Sequence, residues 1–477
     1  MNDFPGSGEP MSRVSELTLE NFQGVSNRQT VQLGAFTLIY GENSAGKSSI
    51  ARSLLLVGQS LSEALYIKGD SRNRFFIYSG QQIDLAGFKN VIHKHEEDRS
   101  LKIGLKVLLD NQDRLVLPPI TRSTVKARPQ ISSVELVAVA FEVTESSAGL
   151  EEFVISFDFS VAQIVETMTL SFQSGEKGDL SLVEQRETSR EATKAFLGVA
   201  DSEDFAISDL HSLEYTWMSN WPAIRGARGI ESGEVAKTSL ARTLDMWLRS
   251  AKMHFLSLIA NPHHIPSLRE IEPRVTVRST QPLRSTKLRR IVKNRDAASS
   301  QFLSQLTQGR YEIESSSYEM GESGFLGEVE VKFLRDKHLG VAVSFQDVGV
   351  GLSQVLPLLS AINTLRISPG EQLIIAEQPE LHLHPKMQAE LAELMFRESQ
   401  SNGQIIAETH SEPILLRLQR IVRELDRDGQ SYRSVAVIYA SFDPELGTRF
   451  ENLELRRDLD FIVLLPTSFS DLRMEEL

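Results

Sequence analysis

The chain has 477 residues, 41% of them hydrophobic and 24% charged, a globular balance that excludes wholesale disorder. Its net charge of −13 excludes a uniformly basic nucleic-acid coat, though not a local basic patch. There is no cysteine, so disulfides, zinc–thiolate sites, iron–sulfur clusters and thiol nucleophiles are excluded, and a cytoplasmic address is the default expectation.

The N-terminal residues MNDFPGSGEPMSR lack the apolar core of a signal peptide. Residues 1–12 read as a flexible leader, with Met11 as an alternative start. No apolar run reaches the roughly 18 residues that a membrane span needs, so no membrane partner is expected. Val14–Leu19 alternates apolar and polar residues, which predicts a strand. Val31–Leu33 predicts a second strand. Ala35–Tyr40 is a short apolar run and predicts a buried one. Ile50, Leu54, Leu55 and Leu61 then recur at helical spacing over Ser48–Ser62.

From about residue 75 to 183 the pattern is mostly β. Ser100–Leu109, Val134–Val143 and Phe153–Phe159 are the clearest strands, with turns at Asn111–Asp113 and Ser146–Gly149. Helical patterns dominate from about 186 to 308 and hold Trp217, Trp221 and Trp247. Gly327–Phe345 predicts a hairpin. Gln372–Ala376 and Gly403–Glu408 predict two further apolar strands, each followed by a helix.

These elements predict an α/β fold. The expected parts are an N-terminal lobe over 13–125, a β-rich lobe over 126–185 and an inserted helical arm over 186–310. A C-terminal lobe over 311–430 and a small C-terminal segment over 431–477 complete it.

The strongest motif is Gly41-Glu42-Asn43-Ser44-Ala45-Gly46-Lys47-Ser48, which fits G-x-x-x-x-G-K-[ST]. Backbone N–H groups must turn inward around phosphate oxygens, and side chains at Gly41 and Gly46 would obstruct that turn. Lys47 supplies positive charge to the β- and γ-phosphates. The Ser48 hydroxyl suits Mg²⁺, and the following helix aims its N-terminus at the anion. The nucleotide-binding set is therefore residues Gly41 to Ser48 with the adjoining Ser49, and the cofactors expected are ATP and Mg²⁺.

Leu373-Ile-Ile-Ala-Glu377-Gln378-Pro379-Glu380 delivers acids at a strand tip, where the Mg²⁺ and the attacking water are held. Glu377 is the candidate metal carboxylate. Gln378 stands where head-type ATPases place a general base; its amide can orient water but takes no proton at neutral pH. Glu380 is the candidate substitute. His382 and His384 alternate, but two histidines alone are a weak metal signal, and Pro385 reads as a helix start.

With both motifs in view the chain resembles the ABC-type AAA ATPases related to the RecF, SMC and OLD-family proteins. Leu17–Phe22, Leu38–Ser49, Asp347–Pro357, Glu377–Pro385 and Ala407–Ser411 carry the resemblance. Pro266–Glu270 with Pro273-Arg274 adds a weaker match. The resemblance implies a P-loop, ABC-type split ATPase head rather than three domains in a row, its halves the lobes over 13–125 and 311–430, and a homodimer of such heads that sandwich ATP. In it, Gly349, Gly351 and Ser353 of one copy would meet the γ-phosphate held by the other. It implies that His410 senses that phosphate or positions water, and that Gln82 contacts Mg²⁺. It also implies a role in DNA repair or anti-phage defence beside an effector, a nuclease or toxin encoded nearby.

With Gln378 at the base position, slow turnover is expected. The rival readings are a nucleotide-switched scaffold with negligible turnover and, less favoured, an OLD-like endonuclease. Asp426 and Asp428 superficially fit a nuclease Asp-x-Asp pair, but they end the helical run Leu415–Leu425 and precede Gly429.

Arg278–Arg295 holds seven cations and no acid, a candidate DNA contact made by Arg284, Lys287, Arg289, Arg290 and Lys293. The alternatives for this strip are a solvated face or a docking site for an acidic partner. Replacing Arg289, Arg290 and Lys293 with Glu is expected to weaken DNA binding. Filter-binding titrations at several salt concentrations check this, and an unchanged affinity removes the assignment.

Overall fold

The computed structural model describes residues 12–63, 76–109, 130–140, 152–161, 164–174, 179–186, 213, 215–217, 222–224, 235–269, 276–278, 298–320, 327–367, 372–401, 403–432 and 434–453. The chain opens with strands β1 (Arg13–Glu20), β2 (Gln29–Gln32) and β3 (Phe36–Gly41), then helix α1 (Ser48–Glu63). Strands β4 (Leu101–Leu108), β5 (Gln130–Ala140), β6 (Glu152–Val161), β7 (Ile164–Ser174) and β8 (Asp179–Arg186) follow. The short β9 (Tyr215–Trp217) and β10 (Pro222–Ile224) precede helix α2 (Val235–Ile259), β11 (His263–Ile265) and β12 (Thr276–Arg278). Next come β13 (Tyr311–Met320), β14 (Gly327–Asp336), β15 (Val341–Val343) and helix α3 (Val350–Ile367). The chain then alternates β16 (Leu373–Glu377), α4 (Pro385–Ser401), β17 (Gln404–Thr409) and α5 (Glu412–Arg427), and β18 (Val435–Asp443) and β19 (Gly447–Leu453) form the last hairpin.

Three sheets result. A nine-stranded sheet runs β10-β9-β8-β7-β6-β5-β4-β1-β2, antiparallel throughout. A six-stranded sheet runs β11-β16-β17-β3-β18-β19, parallel except at its β18–β19 edge. A small sheet holds β12, β14 and β13, with β15 on β14. The P-loop strand β3 therefore lies between β17 and β18, both from the far end of the chain. The split head expected from sequence is this pairing.

The parallel strands are apolar on consecutive residues because both faces are covered. Side chains alternate between faces, and the core divides accordingly. Ile39, Ile375, Ile406 and Ile438 join one cluster, with α1, α2 and the large antiparallel sheet. Their neighbours Leu38, Ile374, Ile405 and Val437 join the other, with α3, α4 and α5. Two helices thus fill the space between the two large sheets.

Strands β5 to β8 lie in the stretch expected to be β-rich, and helix α2 lies in the stretch expected to be a helical insertion. β5 to β8 continue the sheet that begins at β1, through the β4–β5 and β1–β4 pairings. Helix α2 lies in the main core. Leu244, Trp247, Leu248, Ala251, Phe255 and Leu258 recur at helical spacing and are buried in the same cluster as α1. That apolar stripe needs a partner, and the first sheet with α1 supplies it. The Leu415–Leu425 run is helical as expected, within α5. Asp428 caps its C-terminus and Gly429 follows at φ 65°, so the Asp-x-Asp pair forms a helix end and a turn. The turns expected at 111–113 and 146–149, and the basic residues Arg284 to Lys293, lie outside the described residues. Among the described residues no helix is long and apolar enough to cross a membrane.

Gln404 ties the sheets together. Its Oε1 accepts the Val14 N–H at 3.1 Å, and its Nε2 donates to Val14 O at 2.7 Å and Gly34 O at 2.9 Å. Truncation would orphan three buried backbone groups. Gln404→Ala is expected to lower unfolding free energy by about 2–3 kcal/mol, read by urea denaturation.

Candidate functional site

The site forms at the carboxyl edge of the parallel sheet, where open α/β sheets place ligands. β3 ends at Gly41, and the chain turns through residues 42–47 into α1. Gly41 and Gly46 have φ of 151° and 89°, which L side chains rarely adopt. Space is also closed at both: an added Cβ would lie 2.1 Å from Ala440 O at Gly41 and 2.2 Å from Thr448 Oγ1 at Gly46. The β18–β19 hairpin therefore forms the floor of the loop, a role that no sequence motif marks. The N–H groups of Asn43, Ser44, Gly46 and Lys47 donate to no carbonyl of the described residues. Such a loop supplies donors for an anion.

Lys47 is 4% exposed. Its Nζ donates to Gly41 O at 3.1 Å and Glu42 O at 2.5 Å, and lies 3.5 Å from His410 Nδ1. Burial pulls the ammonium below its usual range, against Glu408, Glu380 and Glu42, which favour the charge. His410 also sits below its ordinary value, by burial and then by Lys47. The imidazole is therefore neutral near pH 7, able to accept at one nitrogen and donate at the other. A cleft of about 370 Å³ opens here, lined by Tyr40, Glu42, Asn43, His410, Glu412 and Tyr439 among others.

β16 brings Glu377 to the same edge. Its Oε1 is 2.9 Å from His264 Nε2. Burial pushes this carboxyl up, but the His264 contact, Arg52 and the Ser267 N–H together hold it below its usual value. Glu377 is thus a carboxylate at neutral pH. Gln378 takes the left-handed conformation at φ 44° and its N–H donates to Glu408 O at 2.7 Å. Glu380 is buried; its Oε1 accepts the His410 N–H at 2.9 Å, and burial pushes its carboxyl up. Glu380 therefore sets the position of His410. His384 precedes α4, and its carbonyl accepts from Met387 and Gln388, the start of an ordinary helix. Among the described residues no group of three or more His, Asp or Glu is placed to hold a metal ion.

Helix α3 carries most of the Asp347–Pro357 segment. Gly349 is exposed and Val350 is 51% exposed, so the helix start faces outward. Gly351 packs against the His382 carbonyl, 2.3 Å from where a Cβ would stand. The Ser353 hydroxyl is buried and donates to Val350 O at 3.0 Å within its own helix.

Gln82 does not join the site. Its N–H donates to Gln59 Oε1 at 2.9 Å and its amide to Ala260 O. Gln59 lies about 16 Å along α1 from Ser48, so Gln82 buttresses the helix pair instead of the phosphate loop. Ser49 donates to Gln23 Oε1 at 3.2 Å, and Gln23 is a loop residue that no motif marked.

Three residues that are not among the expected site residues build the edge. Glu408 accepts the Ser48 hydroxyl at 3.1 Å, and His264 holds Glu377. Arg269 is buried and donates to Pro266 O, Gln354 O, Glu377 O and Gln378 O at 2.8–3.0 Å. It fixes the tip of β16 to the second turn of α3. The only sequence signals were the segments Pro266–Glu270 and Ala407–Ser411, neither decisive alone.

A family model for the AAA ATPase domain matches residues 13–415. The chain belongs to this AAA ATPase family. Solved structures that the chain resembles include an SMC head bound to the C-terminal winged-helix domain of ScpA, 12% identical, with a TM-score of 0.40, covering 93% of this chain and 98% of that one. The SMC head domain from Thermotoga maritima is 10% identical at a TM-score of 0.36, covering 93% and 99%. The Smc head with an extended coiled coil, bound to the C-terminal domain of ScpA and derived from Pyrococcus furiosus, is 11% identical at 0.41, covering 97% and 100%. No curated protein matches the chain.

In this AAA ATPase, Arg269→Met is expected to cost about 2–4 kcal/mol of stability, because several buried carbonyls lose a charged donor. Arg269→Lys is expected to recover little, since one ammonium lacks the guanidinium's spread of donors. Chemical denaturation of the three proteins checks both.

Proposed function

We propose that the chain binds ATP with Mg²⁺ and hydrolyses it slowly, as a head that dimerises around the nucleotide. One observation carries this reading. The P-loop amides, Lys47, Ser48, Glu377 and His410 converge on the carboxyl edge of one parallel sheet. Oxygen donors at Ser48 and Glu377 suit Mg²⁺, and bound there the ion would neutralise charge on the phosphates. Lys47 supplies the fixed cation and the loop N–H groups align the phosphate oxygens. Neutral His410, held by Glu380, hydrogen-bonds water or the terminal phosphate. Gln378 orients water without taking its proton.

The exposed start of α3 at Gly349 and Val350 supports the dimer. Free N–H groups at a helix start attract an anion, here the terminal phosphate held by a second copy. Ser353 would have to release Val350 O to contribute its hydroxyl. The cellular role rests on the resemblance alone: DNA repair or defence against foreign DNA, with DNA at the basic segment and a nuclease or toxin as effector.

Gln378 favours a second reading, a nucleotide-switched scaffold with negligible turnover. Phosphate release by the purified chain decides between them. Slow release is expected, falling by about 100-fold in Lys47→Ala. Release no greater than that of Lys47→Ala, with or without DNA, leaves ATP as a binding switch only.

A further inference from the structure

Glu408 stands at the tip of β17, two residues before His410, and has no counterpart among the expected site residues. Parallel pairing sets it level with Glu377 on β16. Such partners lie about 4.8 Å apart with side chains on the same face. Glu408 Oε1 accepts the Ser48 hydroxyl at 3.1 Å. The residue is 7% exposed, and its Oε2 is buried with no hydrogen-bond partner among the described residues. A buried carboxylate oxygen without a partner is costly unless a ligand uses it. Neighbouring donors are directed elsewhere: Lys47 Nζ at the Gly41 and Glu42 carbonyls, His264 at Glu377.

Chemistry identifies the ligand class. Ser48 and Glu377 are hard oxygen donors, and Glu408 adds two more oxygens beside them. Two carboxylates and a hydroxyl are too few for an all-protein cage. They are the number a nucleotide-bound Mg²⁺ uses, since that ion keeps waters and phosphate oxygens in its remaining positions. Gln82, the other metal contact expected, buttresses α1 and α2 instead.

We propose that Glu408 is a carboxylate of the Mg²⁺ site. Its Oε1 fixes the Ser48 hydroxyl so that the Ser48 lone pairs face the ion. Its Oε2 takes the ion or a water bound to it. The inference rests on the nucleotide-binding reading above and adds a residue to it.

The test uses the full chain and Mn²⁺ as a spectroscopic probe. Mn²⁺ affinity of the ATP-bound protein is read by electron paramagnetic resonance, and ATP affinity in EDTA by fluorescent-nucleotide titration. Glu408→Gln is expected to lower Mn²⁺ affinity by about tenfold or more while leaving ATP affinity in EDTA nearly unchanged. Glu408→Asp keeps the carboxylate and is expected to retain more Mn²⁺ affinity than Glu408→Gln. Unchanged Mn²⁺ affinity in Glu408→Gln, with ATP binding intact, overturns the proposal alone. So does an equal loss of ATP affinity in EDTA, which would make Glu408 a support for the loop. A wild-type chain that binds no ATP overturns the nucleotide reading and this proposal with it.

Discussion

Leu373–Glu377 of β16 pair in parallel with Gln404–Glu408 of β17, and Ile405–Thr409 of β17 pair with Phe36–Tyr40 of β3. This shared register brings three strand tips to one level. Glu377, Glu408 and the P-loop then face a common space, although more than 300 residues separate Gly41 from Glu377. A slip of one residue in any strand would turn its acid to the other face of the sheet. The buried alternation on both sheet faces opposes that slip, because each strand would have to exchange its two apolar sets.

Polar links hold the register where hydrophobic burial cannot. Apolar contacts are not directional, so they leave the strand tips free to shift. Gln404 pins the start of β17 to β1, and Arg269 pins the end of β16 to α3. Both act on backbone carbonyls, which lie in fixed positions along a strand. The C-terminal hairpin adds a steric limit, with Ala440 and Thr448 filling the space beside Gly41 and Gly46. The P-loop is therefore a product of both ends of the chain.

Charge at the edge is unbalanced. Glu377, Glu380 and Glu408 gather around one buried lysine, while Arg52 is exposed and Arg269 is committed to carbonyls. Burial pushes Glu380 and Glu408 toward their neutral forms, with Glu377 adding to the effect on Glu408. His264 keeps Glu377 ionised. The three acids thus differ in environment despite their proximity, and such differences assign separate roles to like groups. Glu380 orients His410 through the histidine's backbone N–H, whereas Glu408 accepts the Ser48 hydroxyl and Glu377 pairs with His264.

The sequence by itself determined the local elements and the phosphate chemistry. Apolar runs marked β3, β16 and β17, and glycine, lysine and serine at fixed spacing marked the loop, because period and backbone freedom are properties of adjacent residues. Gln378 was equally legible, an amide at the offset where the resemblance implies a base. Only the tertiary structure decided which distant residues complete the edge. His264 and Arg269 come from a stretch that reads as a helical arm, since three-residue strands such as β11 carry no periodic signal. Gln82 matched by position and yet packs against α1 and α2. Glu408 lies in the Ala407–Ser411 segment with no role assigned to it, and its meaning comes from Ser48, which the pairing of β17 with β3 and the turn after β3 bring beside it. Hydrogen bonds across several hundred residues leave no local pattern, because they depend on register and not on neighbours in the chain.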